Sequence, residues 1–128
     1  KRIILVDDSI VRGTSSGMIV RDKLRGARDV SLLLTFPPIM YPCYAGIDFP
    51  TQEELLAYRV SGTSKSLDEI NKTIAKYLGV SALGYADVET LSEGIGMPKD
   101  QLCLSCSTGD YSCLKRKPKF MTREEMSS

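Results

Sequence analysis

The 128-residue chain contains no histidine and no tryptophan. The missing histidine excludes a Ser-His-Asp or Cys-His catalytic arrangement built within this chain alone. It also restricts any metal site to thiolate and carboxylate ligands. Excess charge of either sign is missing as well: 17 Lys and Arg stand against 16 Asp and Glu, a net of +1. A balance this even gives no bulk attraction to nucleic acid or to acidic membranes. No apolar run approaches the ~18 residues of a membrane-spanning helix. No signal peptide is visible, because Lys1-Arg2 leads into only four apolar residues before Asp7. What remains is an ordinary globular composition, 42% hydrophobic and 26% charged, of single-domain length.

Ile3-Ile4-Leu5-Val6 is a continuous apolar run. Its lack of alternation predicts a parallel strand covered on both faces. A helix is predicted over residues 15–25, with Thr14 as N-cap and Gly26 as its stop. Residues 30–36 are again almost wholly apolar and read as a second strand, ended by Pro37-Pro38. Strand, helix and strand make a parallel βαβ unit. Thr51 and Glu54 have capping-box spacing, which predicts a short helix over 52–58. Ser66 and Glu69 repeat it ahead of the stripe Leu67, Ile70, Ile74 and Leu78, and Gly79 closes that helix. A short strand over 80–85 and a helix from Asp87 to Gly94 follow, then an irregular stretch after Pro98 and a frayed basic tail from Lys115. The fold class is α/β, with 1–36 as the βαβ unit, 37–114 as a mainly helical extension and 115–128 as the tail. Two or three strands leave sheet edges open, and no lead-in precedes the first strand. The chain is therefore expected to be part of a larger protein with an incomplete sheet.

The first strand delivers two carboxylates, Asp7 and Asp8, to its carboxyl end, where open α/β sheets bind ligands. Ser9 to Thr14 then enters a helix N-terminus, a setting that attracts anions. Gly13 permits close backbone approach, and Thr14, Ser15 and Ser16 add hydroxyls. A sugar phosphate satisfies both halves, its hydroxyls donating to the acids and its phosphate resting in the loop. The pattern alone is equally compatible with acids that only cap a helix or solvate a strand end. It is neither a Walker motif nor a dinucleotide fingerprint.

The stretch "ILVDDSIVRGTS" resembles the phosphoribosyl-pyrophosphate (PRPP) signature of type I phosphoribosyltransferases, and in particular that of the amidophosphoribosyltransferases. "PPIMYPCYAGIDFPTQEELLA", "LGYADVETLSEGIG" and "CLSCSTGDY" resemble later parts of the same family, so the likeness covers about residues 3–111. It implies a partial type I phosphoribosyltransferase fold. Asp7 and Asp8 would hold the ribose 2- and 3-hydroxyls near a Mg²⁺ bound with PRPP. Ser9, Ile10, Val11, Arg12, Gly13, Thr14 and Ser15 would bind the 5-phosphate, mainly through backbone N–H groups. Arg12 is expected to face a neighbouring part of the enzyme or a nucleotide, or simply solvent. The implied reaction displaces pyrophosphate from ribose C1 with glutamine-derived ammonia, the opening step of purine biosynthesis. The resemblance implies no catalytic side chain in this chain beyond the binding set. It implies a glutaminase domain and the upstream half of the phosphoribosyltransferase domain as partners, and a homo-oligomer when intact. This chain alone would bind weakly and catalyse nothing.

Four cysteines are present, and Cys103 and Cys106 form a C-x₂-C pair. By spacing alone, zinc, a disulfide and buried thiols all remain open. One branch of the resembled family carries a [4Fe–4S] cluster, and this sequence matches it at Cys43, Cys103 and Cys106, with the remaining ligand expected upstream. Cys113 matches no family ligand, although it could substitute for one. A cluster implies a reducing, cytoplasmic setting. A PRPP- or nucleotide-sensing regulatory module is the alternative function, and a small iron–sulfur or zinc protein is a third. The cysteine-bearing stretches favour the enzyme.

Overall fold

The computed structural model describes residues 1–47, 51–62 and 65–114. The expected basic tail lies outside those residues. Strands β1 (Arg2–Asp7), β2 (Asp29–Leu34) and β3 (Ala82–Tyr85) form a parallel sheet in the order β1-β2-β3. Ile4 pairs with Ser31 and Val6 with Leu33, while Leu33 pairs in turn with Gly84. The helices are α1 (Thr14–Met18), α2 (Leu56–Ser61), α3 (Leu67–Leu78), α4 (Val88–Ile95) and α5 (Ser105–Thr108). No helix among the described residues is long and apolar enough to cross a membrane.

The fold is α/β and its sheet incomplete, as expected, but the described residues cover only one face of the sheet. Val30, Leu32, Leu34, Leu83 and Tyr85 point into one core with Ile10, Leu56, Ile70 and Ile74. On the opposite face Ile4 and Val6 stay 68% and 62% exposed, and Leu33 is exposed beside them. The topology supplies the reason. When strands are added in one direction, right-handed crossovers place both connections on the same side.

Local signals explain most element ends. The Ser66 hydroxyl accepts from the Glu69 N–H at 3.3 Å, and the Glu69 carboxylate accepts from the Ser66 N–H at 2.8 Å. That reciprocal cap starts α3 as predicted, and Gly79 ends it at φ 72°. Buried Ile70 and Ile74 then dock α3 on the sheet, worth about 1.5–3 kcal/mol each. Asp87 caps α4 by accepting from the Thr90 N–H at 2.7 Å, and the helix runs on to Ile95 before Gly96 stops it.

Other expectations fail. Thr14 is the first residue of α1 rather than its cap; Gly13 occupies the cap position with φ 79°. The helix continues as a π-helical turn over Ile19–Lys23 and closes at Leu24, ahead of Gly26. Thr51 caps nothing. A 3₁₀ turn over Gln52–Glu54 precedes α2, because Leu55 and Leu56 are both drawn completely into the core. The stretch after Pro98 is not irregular throughout, since a 3₁₀ turn (Lys99–Gln101) and α5 lie within it.

Candidate functional site

The sheet positions the acid pair. Asp7 is the last residue of β1, and the Thr35 N–H donates to its carbonyl at 3.1 Å. The Phe36 N–H donates to the Asp8 carbonyl at 2.9 Å, so strand-like pairing holds both acids past the end of β2. The Asp7 carboxylate accepts from the Asp8 N–H at 2.9 Å, and the Asp8 carboxylate accepts from the Ser9 hydroxyl at 3.0 Å.

The loop behind them is anchored from below. Ile10 is 2% exposed and belongs to the core, so it can offer a ligand only its backbone. The Leu56 N–H donates to the Val11 carbonyl at 2.8 Å. At Gly13, with φ 79°, an added Cβ would sit 2.6 Å from Leu56 Cδ2. The Gly13 carbonyl accepts from the Gly17 N–H at 3.0 Å, which starts α1. The Arg12 guanidinium donates to the Glu54 carboxylate at 2.9 Å through Nε and 2.7 Å through Nη2. Arg12 is thus ion-paired within the chain while its side chain stays partly open to solvent.

Residues 7–16 enclose one pocket of about 380 Å³. Each of the nine positions singled out, Asp7 through Ser15, lines it. The pocket has an acceptor wall, the two carboxylates, and a donor wall, a loop running into a helix whose first N–H groups have no partner within the helix. That division suits a polyol at one end and an anion at the other. A larger open cleft of about 1030 Å³ shares Arg12, Gly13 and Thr14 but contains neither acid. Leu56 and Glu54, which brace the loop, escape sequence reading. They sit some forty residues away, and the only local signal at either, the capping-box spacing of Glu54, points to a different role.

A second constellation joins the Cys43 segment to the C-x₂-C turn. The Cys106 carbonyl accepts from the N–H groups of Met40 and Tyr41, both at 2.9 Å. The Tyr111 hydroxyl donates to the Pro42 carbonyl at 2.7 Å, and its ring meets Tyr44 edge-on at 5.3 Å. Burial pushes the Cys106 thiol up to about 11, and the charges of Cys43 and Cys103 add to the rise. Those three sulfurs therefore share one electrostatic neighbourhood. Among the described residues, however, no three Cys, Asp or Glu side chains converge closely enough for a single metal ion. A lone ion needs its ligands within about 2.0–2.3 Å of one point. A cluster takes its protein sulfurs on separate irons. Cys43, Cys103 and Cys106 are an all-thiolate set, the donor chemistry that iron–sulfur clusters take. All four cysteines are free thiols.

No protein-family model matches the chain. Curated relatives do. It is 45% identical over 114 residues to the amidophosphoribosyltransferase of Methanothermobacter thermautotrophicus, a match covering 87% of this chain and 22% of that protein. Against the Pyrococcus horikoshii amidophosphoribosyltransferase the identity is 50% over 113 residues, with the same coverage of both. Among solved structures, the glutamine PRPP amidotransferase of Bacillus subtilis, complexed with ADP and GMP, superposes with a TM-score of 0.67 at 41% identity. That match covers 87% of this chain and 24% of the other. The chain thus spans under a quarter of the length of these relatives. At 41–50% identity over 87% of its length, the chain matches one segment of the amidophosphoribosyltransferases.

Proposed function

We propose that this chain is the PRPP-binding portion of an amidophosphoribosyltransferase, which displaces pyrophosphate from PRPP with ammonia to give phosphoribosylamine. The observation that carries the reading is the single pocket shared by Asp7, Asp8 and the 9–15 loop at the carboxyl end of a parallel strand. Asp7 and Asp8 accept the ribose 2- and 3-hydroxyls. The loop N–H groups, with the Thr14 and Ser15 hydroxyls, hold the 5-phosphate. As pyrophosphate departs, positive charge builds on the sugar ring, and two adjacent carboxylates stabilise it. The loop fixes C1 against the incoming amine, a positioning role that needs no proton-transfer side chain here. Asp7 and Asp8 would also hold a Mg²⁺ bound with PRPP, which would supply charge neutralisation for the pyrophosphate.

Ammonia would come from a glutaminase domain, and the pyrophosphate end of PRPP would be held by the upstream half of the phosphoribosyltransferase domain. The assembled protein is a cytoplasmic homo-oligomer in this reading. Cys43, Cys103 and Cys106 would supply three thiolates to a [4Fe–4S] cluster, which ties the 37–47 segment to the C-x₂-C turn. The relatives' names favour this enzyme over a sensing module.

The test is calorimetric titration of Mg²⁺–PRPP into the full-length protein and into its Asp7→Asn and Asp8→Asn variants. A hydrogen bond to a charged acceptor is worth about 1.5–3 kcal/mol, so each variant should bind roughly 10- to 150-fold more weakly. Unchanged affinity in both would remove the ribose role.

A further inference from the structure

We propose that, when no cluster occupies Cys103, Cys103 and Cys113 form a redox-active dithiol that closes to an intrachain disulfide. The Cys113 thiol donates toward Cys103 Sγ across 3.9 Å. Both side chains are exposed, so a small oxidant can reach them. The buried Ser105 hydroxyl lies 3.2 Å from Cys113 Sγ and 3.8 Å from Cys103 Sγ, and holds the two sulfurs to one spot. A bonded pair needs about 2.05 Å between sulfurs. The remaining approach is small, and it falls on exposed side chains next to the turn in which the Leu114 N–H donates to the Tyr111 carbonyl at 3.0 Å.

The oxidant class is a peroxide. One thiolate attacks it, and the O–O bond breaks to give a sulfenic acid and hydroxide, which takes a proton to leave as water. The second thiol attacks the sulfenic sulfur, the S–O bond breaks, and a second water departs. Together the two thiols give up two protons and two electrons. Bond formation removes Cys103 from any thiolate set that could hold iron. The pairing itself rests on the sulfur geometry and not on the cluster reading.

The experiment uses full-length protein stripped of iron and fully reduced, then exposed to stepwise hydrogen peroxide. Remaining thiols are alkylated, and the protein is cleaved before aspartate. Cys103 and Cys106 then fall on peptide 100–109, and Cys113 on the peptide beginning at Asp110. The expected result is a cross-link between those peptides, with Cys103 and Cys113 lost to alkylation together and Cys106 still alkylated. The link should be reversed by dithiothreitol, absent in Cys113→Ser and retained in Cys43→Ser. Recovery of alkylated Cys113, its pairing with Cys106, or its conversion to sulfinic acid without a cross-link overturns the proposal.

Discussion

Gly13→Ala is the sharpest perturbation of the loop. The residue sits at φ 79°, and a non-glycine residue there costs about 1–2 kcal/mol. Its Cβ would also lie 2.6 Å from Leu56 Cδ2, far inside the ~3.5–4.0 Å of ordinary carbon contact. Leu56 is 0% exposed and cannot swing into solvent. Forcing it aside is overpacking, at about 1–3 kcal/mol. The variant should therefore lose about 2–5 kcal/mol in urea denaturation and weaken PRPP binding, because the strain falls on the loop itself. Leu56→Ala alone should cost about 2–5 kcal/mol by leaving a cavity. In the double variant the new methyl occupies part of that cavity, so the loss should fall short of the sum by about 1 kcal/mol or more. A Gly13→Ala protein within about 0.5 kcal/mol of the parent, or strict additivity, would refute the contact as the reason for glycine.

Two further outcomes follow from buried or capping polar groups. The Tyr85 phenol is buried without a hydrogen-bond partner among the described residues, and burial raises its pKa. Tyr85→Phe should leave thermal stability unchanged or raise it by about 1 kcal/mol, since the variant removes an unsatisfied group; a loss above about 1 kcal/mol would contradict this. Ser66→Ala should cost about 1 kcal/mol by removing the cap of α3. The Ser66 N–H and then its hydroxyl hold the Glu69 carboxyl below its usual 4.5. Its contribution is therefore present above that value and lost as pH falls through the lower folded one. The acid side of the stability profile should be shallower in Ser66→Ala, and identical profiles would count against the reciprocal cap.

Elements whose determinants are local were readable from sequence. In α3, Ser66, Glu69, the apolar stripe and Gly79 all lie within one short segment and agree. Thr51 and Glu54 carry the same spacing and misled, because Thr51 is 2% exposed and burial of Leu55 and Leu56 decides the backbone there. Tertiary packing overrides a local cap. Helix α5 has four residues, too few for any periodicity. Continuous apolar residues in β1 read as covered on both sides, yet Ile4 and Val6 face outward, since sequence does not say on which side crossovers pass. At the candidate site the acids and the loop were legible as one contiguous stretch. Their supports, Glu54 against Arg12 and Leu56 beneath Gly13, depend on contacts across some forty residues that no local pattern encodes.

The six residues 36–41 act as a tie-rod. One end is fastened to the backbone of Asp8 through Phe36, and the other to that of Cys106 through Met40 and Tyr41. Between them come two buried prolines with locked φ and a buried isoleucine, a span of at most about 20 Å with little slack. The sulfur-bearing turn and the acid ledge are thus spliced by one short stretch of backbone, so a rearrangement at either has few free torsions between them to absorb it.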